Sequence, residues 1–237
     1  MSTEKNINEF NKDVEANAGY LYSTGAKLSS RIANKRLSDA VRQSVSLTGK
    51  RVIDVGCGDG VYTVELLNDR PKSVLGIDPA ETAVESARRR SAGFDNIEYK
   101  IADIYHLDSL NDRFDVAIVR GVLHHLYDAE KAIANLSKIA DEIVVIEPNG
   151  YCPILKVIEK VSKYHRVHEE KSYPPHRIDK WFALQGAKKT RSFYCGVVPM
   201  FCPDTMARVL KILEPIVEKT PVLRELLCAV YVLKVRN

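Results

Sequence analysis

No stretch of this 237-residue chain comes near 18 uninterrupted apolar residues, and no basic segment followed by an apolar core opens it. A membrane-crossing helix and a secretory leader are therefore not expected, and a cytoplasmic protein is. Cysteine is scarce: the five, at 57, 152, 195, 202 and 228, are odd in number and form no Cys-x-x-Cys pair. That spacing argues against a disulfide framework and a zinc site and leaves reduced thiols. Charge of one sign is also modest, at +4 net, with 45% hydrophobic and 28% charged residues, so the composition is that of an ordinary globular chain. Internal repeats and low-complexity tracts are missing as well, which removes solenoids and fibrous arrays.

What is present begins with a polar opening, STEKNINEFNKD, and an aromatic patch at Tyr20 and Tyr22. Leu28, Ile32, Leu37, Val41 and Val45 then recur at helical spacing, with Ser29 or Ser30 as the expected cap. From residue 51 strands and helices alternate. RVIDVG, SVLGIDP, IEYKIAD, FDVAIVR and EIVVIEP read as strands, VYTVELLND, AETAVESARRRSA and DAEKAIANLSKIA as helices, with Gly93 as a C-cap. Such alternation predicts a doubly wound, mostly parallel sheet. Later, 153–164, 177–185 and 204–219 read as helices, KTRSFYCGV as a late strand and LLCAVYVLKV as the last one. The expected organisation is an N-terminal helical extension over 1–48 and one α/β domain over 49–237. Residues 151–186 form a helical lid inserted late in the sheet, because a long excursion between strands builds a substrate pocket.

Residues 51–60, RVIDVGCGDG, place glycines at every second position after the first strand. A phosphate-binding loop would need Gly-Lys-Ser/Thr, which does not follow. A dinucleotide fingerprint would need a glycine where Val61 stands, and the third glycine comes one place early, at Gly60. Asp54 and Asp59 flank the helix N-terminus that would have to hold a pyrophosphate, and like charges there are costly. A cationic ligand is favoured instead.

Asp54-x-Gly56-x-Gly58-x-Gly60 resembles motif I of the class I S-adenosylmethionine-dependent methyltransferases, and three further motifs follow in register over residues 50–150. The resemblance implies a Rossmann-like fold with a seven-stranded sheet, S-adenosylmethionine as cofactor and methyl transfer as activity. It implies that Gly56, Cys57, Gly58 and Gly60 surround the cofactor and that Asp78, beside Pro79, binds both ribose hydroxyls. A carboxylate accepts two hydrogen bonds from a diol. Asp103 and the Ile104 backbone take the adenine position, and the backbone near Arg120 and Gly121 faces the methionine part. Tyr20 is expected to close over the cofactor from the N-terminal extension.

Methyl transfer from a sulfonium is an in-line displacement that needs no metal, only a held acceptor and, where the acceptor carries a proton, a base. His125, then His124, are the candidate bases, because they follow the fourth strand. His165, His168, Glu169 and His176 are candidate substrate contacts in the lid; the His165-x-x-His168-Glu169 spacing is weak evidence for a metal, and none is expected. The chain lacks the Asn/Asp-Pro-Pro-aromatic stretch of amino-methylating DNA enzymes and the paired-glutamate loop of protein arginine methyltransferases. DNA is not expected as a partner. Between 151 and 191 ten Lys/Arg face four Asp/Glu, interleaved with Tyr151, Tyr164, Tyr173, Trp181 and Phe182. This suits a small-molecule acceptor with a ring or apolar body and an anionic group, methylated on oxygen. An RNA methyltransferase and a protein that binds the cofactor without using it are the two alternatives.

Overall fold

The computed structural model describes residues 27–162 and 171–237, together with Ile7, Asn8, Asn11, Lys12 and Val14. Tyr20, Tyr22, Tyr164, His165, His168 and Glu169 lie outside the described residues. A helix α1 (Leu28–Ser44) precedes β1 (Arg51–Val55), α2 (Val61–Leu66), β2 (Ser73–Asp78), α3 (Glu81–Arg90) and β3 (Ile97–Ile101). Then come β4 (Phe114–Arg120), α4 (Ala129–Ile139), β5 (Ala140–Pro148), α5 (Pro153–Val161) and α6 (Pro175–Leu184). The chain closes with β6 (Lys188–Cys195), α7 (Asp204–Lys219), α8 (Leu223–Leu227) and β7 (Val230–Arg236).

The seven strands form one sheet in the order β3-β2-β1-β4-β5-β7-β6. β1 pairs in parallel with β2 and β4, and β4 with β5, whereas β7 runs antiparallel to both neighbours. The order reverses between β1 and β4, which are neighbours in the sheet although two strands separate them in the chain. In open α/β sheets ligands bind at such a switch, beyond the C-terminal strand ends.

Period-2 alternation along the strands feeds two cores. Ile53, Leu75, Ala117 and Val145 face α4 and α6, whose Ile133, Leu136, Ile178, Trp181 and Phe182 complete that layer. Val52, Val74, Val116 and Val144 face α1, α2 and α3 through Val41, Leu66, Val84 and Ala87. Trp181 and Phe182 are thus core residues, not the acceptor-facing aromatics expected from the sequence. α6 presents them at helical spacing to the sheet, and burying two such rings is worth several kcal/mol.

Other details differ from expectation. Ser29 and Ser30 do not cap α1: both lie inside it, and their hydroxyls donate to the Met200 carbonyl at 2.9 and 2.7 Å. The C-cap of α3 is Ser91, with Gly93 two residues further on at φ 103°. Leu226 and Leu227 belong to α8, and the last strand starts at Val230.

α1 is pinned to α7 by a bidentate pair. Arg36 donates from Nε and a terminal nitrogen to the two Glu218 oxygens at 2.8 and 2.9 Å, and both side chains are largely shielded. Removing one partner of such a pair leaves the other charge buried. Arg36→Ala should therefore cost about 3 kcal/mol and lower the melting temperature by roughly 6–12 °C, read by thermal unfolding.

Candidate functional site

The glycine turn lies beyond the C-terminal end of β1. Gly56, Gly58 and Gly60 have φ of 75°, 54° and 78°, the left-handed region that side chains rarely tolerate. Gly56 and Cys57 donate their N–H groups to the Ile77 carbonyl, tying the turn to β2. Close approach adds a second reason for two of these glycines. A Cβ at Gly60 would stand 2.7 Å from the Ala87 methyl of α3, and one at Gly56 would stand 2.4 Å from a Val122 methyl.

Asp78 ends β2 beside this turn and is buried. One oxygen accepts the Gly58 N–H at 3.0 Å and the other the Ala80 N–H at 2.9 Å. Each oxygen keeps a lone pair for a further donor, as a ribose diol would require. Burial pushes the carboxyl up to about 6, against the two backbone donors that lower it. Pro79 and Ala80 lead into α3, and the described N-terminal residues reach the same corner. Asn11 accepts from the Thr82 hydroxyl at 2.7 Å, and Val14 packs on Ala80 and Ala83.

Asp103 follows β3, and its side chain accepts the Tyr105 N–H at 3.0 Å, with Ile104 buried beside it. The two carboxylates thought to set a negative potential are both engaged internally. Asp54 accepts from the Thr63 hydroxyl at 2.6 Å and feels the Arg120 charge, while burial pushes it up to about 6. Asp59 pairs with Arg90 at 3.5 Å. Arg120 turns its guanidinium toward α1, donating to Ser38 Oγ at 3.1 Å and to Asn34 Oδ1 at 3.2 Å, and stacks 3.6 Å from the Tyr62 ring centre. The backbone at 120–121, not this side chain, is left at the strand end.

The loop 121–125 lies between β4 and α4, and Glu147 at the end of β5 holds it. This carboxylate, 1% exposed, accepts the N–H groups of Val122, Leu123 and His124 at 2.7, 2.8 and 3.2 Å. It also meets His124 Nδ1 at 2.8 Å. A charged acceptor shared by three backbone donors and an imidazole fixes the loop and the ring orientation together. His124 is buried, His125 is half-buried, and their ring centres are 3.9 Å apart. Because Val122 packs on Gly56, the glycine turn and the histidine loop form one continuous corner. In the sequence Glu147 is an acidic residue at the end of the fifth strand, with nothing to link it to its loop partners, Val122 to His124, more than twenty residues away.

Of the lid residues, His176 is exposed and its Nδ1 shares a hydrogen bond with the Tyr151 hydroxyl. Four of the ten cations of 151–191 meet groups of the same fold. Lys156 donates to the Ser172 carbonyl, Lys189 pairs with Asp179, Arg177 lies over the Tyr173 and Trp181 rings, and Arg191 donates to the Gln43 carbonyl. Among the described residues no group of three His, Cys, Asp or Glu is placed to hold a metal ion. The described cysteines are all unpaired, and no helix of the described residues is long and apolar enough to cross a membrane.

The magnesium protoporphyrin IX methyltransferase of Synechocystis PCC 6803, solved with bound S-adenosylmethionine, superposes with a TM-score of 0.66 at 17% identity, over 100% of this chain and 98% of that one. The tRNA U34 carboxymethyltransferase of Campylobacter curvus is 34% identical over 93 residues, 39% of this chain and 31% of that protein. The ubiquinone biosynthesis O-methyltransferase of Coxiella burnetii is 32% identical over 111 residues, 46% of this chain and 44% of that protein. The chain thus spans less than half the length of these curated relatives. A family profile described as "Methyltransferase domain" matches residues 46–195, the stretch that carries the glycine turn, Asp78, Asp103, the histidine loop and Glu147. The chain belongs to that methyltransferase family, and its sheet is the Rossmann-like one of the S-adenosylmethionine-dependent class I enzymes.

Proposed function

We propose that the protein transfers a methyl group from S-adenosylmethionine to an oxygen of a small acceptor with a ring or apolar body. The observation that carries the reading is the shared corner. The turn that suits the cofactor touches the histidine loop through Val122 and Gly56, and the loop is locked by a buried carboxylate. Asp78 holds the ribose, Asp103 and Ile104 border the adenine, and the backbone at 120–121 faces the methionine end. The described part of the N-terminal extension, at Asn11 and Val14, borders the cofactor beside α3, and the described part of the 151–186 segment, with His176, borders the acceptor.

The cofactor supplies an electrophilic methyl group on a sulfonium with a neutral thioether as leaving group. The protein supplies position and proton transfer. His125 takes the acceptor's proton as the oxygen attacks, and His124, oriented by Glu147, is a positioning residue against which the His125 ring packs. A ring-bearing acceptor accords with the ubiquinone-biosynthesis relative. The tRNA relative keeps a nucleic-acid acceptor as the competing reading.

The test is the pH–rate profile. Turnover should rise with pH as the base loses its proton and then level off. His125→Ala should abolish that limb and lower kcat about 10²- to 10³-fold with cofactor affinity unchanged, whereas equal losses in kcat and affinity would make His125 a binding residue.

Cofactor affinity has its own pH dependence. Asp78, with its carboxyl near 6, is about nine-tenths protonated at pH 5 and then offers no charged acceptor to a diol. S-adenosylhomocysteine affinity should fall about tenfold between pH 7.5 and pH 5. The sign for stability is opposite. A carboxyl whose folded value is raised above its unfolded one is better protonated when folded, so this group favours the folded state as pH falls from 6 toward 4. Affinity loss without unfolding, measured by calorimetry and circular dichroism, is the expected pair of results.

A further inference from the structure

Three helices beside the site turn their apolar sides outward. α7 packs on α1 and β6 with its polar side: Glu218 meets Arg36 and the Gly196 N–H, Glu214 accepts the Val197 N–H, and Ala207 is buried between them. Met206, Val209, Ile212, Leu213 and Ile216 share the opposite face at helical spacing and are exposed, Ile212 at 74%. α5 is inverted in the same way. Lys156 and Glu159 grip Ser172, while Ile154, Val157 and Val161 are exposed. α8 touches both helices and adds Leu223, Leu226 and Leu227. A helix on a globular domain ordinarily buries its apolar stripe. A continuous exposed one marks an interaction surface.

Charge selects what covers it. On these three helices the exposed charged side chains are Lys160, Arg208 and Lys219 against Asp204 alone, besides Lys211, which pairs with Glu214; Glu218 is turned inward onto Arg36. A two-fold pairing of copies would set this basic rim against itself. An anionic bilayer attracts it, at about 1 kcal/mol per Lys or Arg near the surface, and takes the apolar side chains into the acyl boundary. Position agrees. Val230 lies opposite both Pro148 and Cys195, so the ends of β5 and β6, and α8 just before β7, share the sheet edge that carries Glu147.

We propose that the face formed by α5, α7 and α8 docks the protein on an anionic lipid bilayer. The docking does not depend on which acceptor is methylated, and its test reads no activity. The full chain is sedimented with vesicles of phosphatidylcholine alone or mixed with phosphatidylglycerol. Binding to the anionic vesicles should exceed binding to the neutral ones at least tenfold and weaken as salt is raised. Ile212→Glu with Ile216→Glu should reduce it about tenfold or more, and so should Arg208→Glu with Lys219→Glu. S-adenosylhomocysteine affinity, unchanged in these variants, reports that they are folded, and the lipid and salt comparison on the wild-type chain stands whether or not a variant folds. Absence of binding to anionic vesicles would overturn the proposal. So would a dimer in sedimentation velocity that Ile212→Glu dissolves while the wild-type chain ignores vesicles, which would assign the face to a second copy.

Discussion

Asp78→Ala should weaken S-adenosylhomocysteine binding about 10²-fold, measured by titration calorimetry. The carboxylate ends β2, and both oxygens already accept backbone N–H groups, from Gly58 and Ala80. In the proposed reading its remaining lone pairs are the charged acceptors for the ribose diol, and hydrogen bonds to a charged group are worth about 1.5–3 kcal/mol. The same truncation releases two donors of the turn, so stability should also fall, by about 1–3 kcal/mol. Asp78→Asn separates the two roles. It keeps one carbonyl oxygen for the turn and loses the charge, so it should unfold less than the alanine variant and still bind at least tenfold more weakly than the wild type. A natively folded Asp78→Ala protein with undiminished affinity would show that the ribose lies elsewhere.

Glu147→Ala should be the most damaging single change, because one buried carboxylate serves four donors. Val122, Leu123 and His124 would keep buried N–H groups with no acceptor, each costing about 1–3 kcal/mol, and relaxation of the loop would recover part of that. A net loss of about 3–5 kcal/mol is expected, with a kcat fall of about 10²- to 10³-fold. Glu147→Gln keeps a carbonyl oxygen for part of the loop but sets an amide donor against the remaining N–H groups. It should retain more stability than the alanine variant and nearly full cofactor affinity while losing turnover. Equal catalytic efficiency for Glu147→Gln and wild type would remove His124 and Glu147 from the positioning of the base.

The parts of this fold that were legible in the sequence are those where one local rule fixes the outcome. β1, β2, β4 and β5 read directly, because their apolar runs are bounded by turn residues and each is buried on both faces, and the edge strand β3 reads from its alternation. The glycine turn read directly too, since three left-handed backbone positions admit little else. What stayed hidden depends on distant partners. Ser29 and Ser30 look like caps, yet their acceptor is Met200, some 170 residues away. The basic balance of 151–191 looked like a ligand-facing surface, yet several of those cations meet carbonyls, rings and carboxylates of the same fold. Period 3.6 announced α7 with its bounds at 204 and 219, but periodicity gives two faces and not which of them is inside. Arg36 decides that from another helix.

The decisive measurement follows a labelled methyl group. The full chain is incubated with S-adenosylmethionine carrying a tritiated methyl, once with a panel of hydroxylated ring compounds and once with tRNA, and the label is counted in the organic extract and in the tRNA precipitate. Label in the organic extract, lost with His125→Ala and Glu147→Gln, is the predicted result. Label confined to the tRNA precipitate, or none in either fraction while S-adenosylhomocysteine still binds, would contradict the assignment of a small oxygen acceptor to this site.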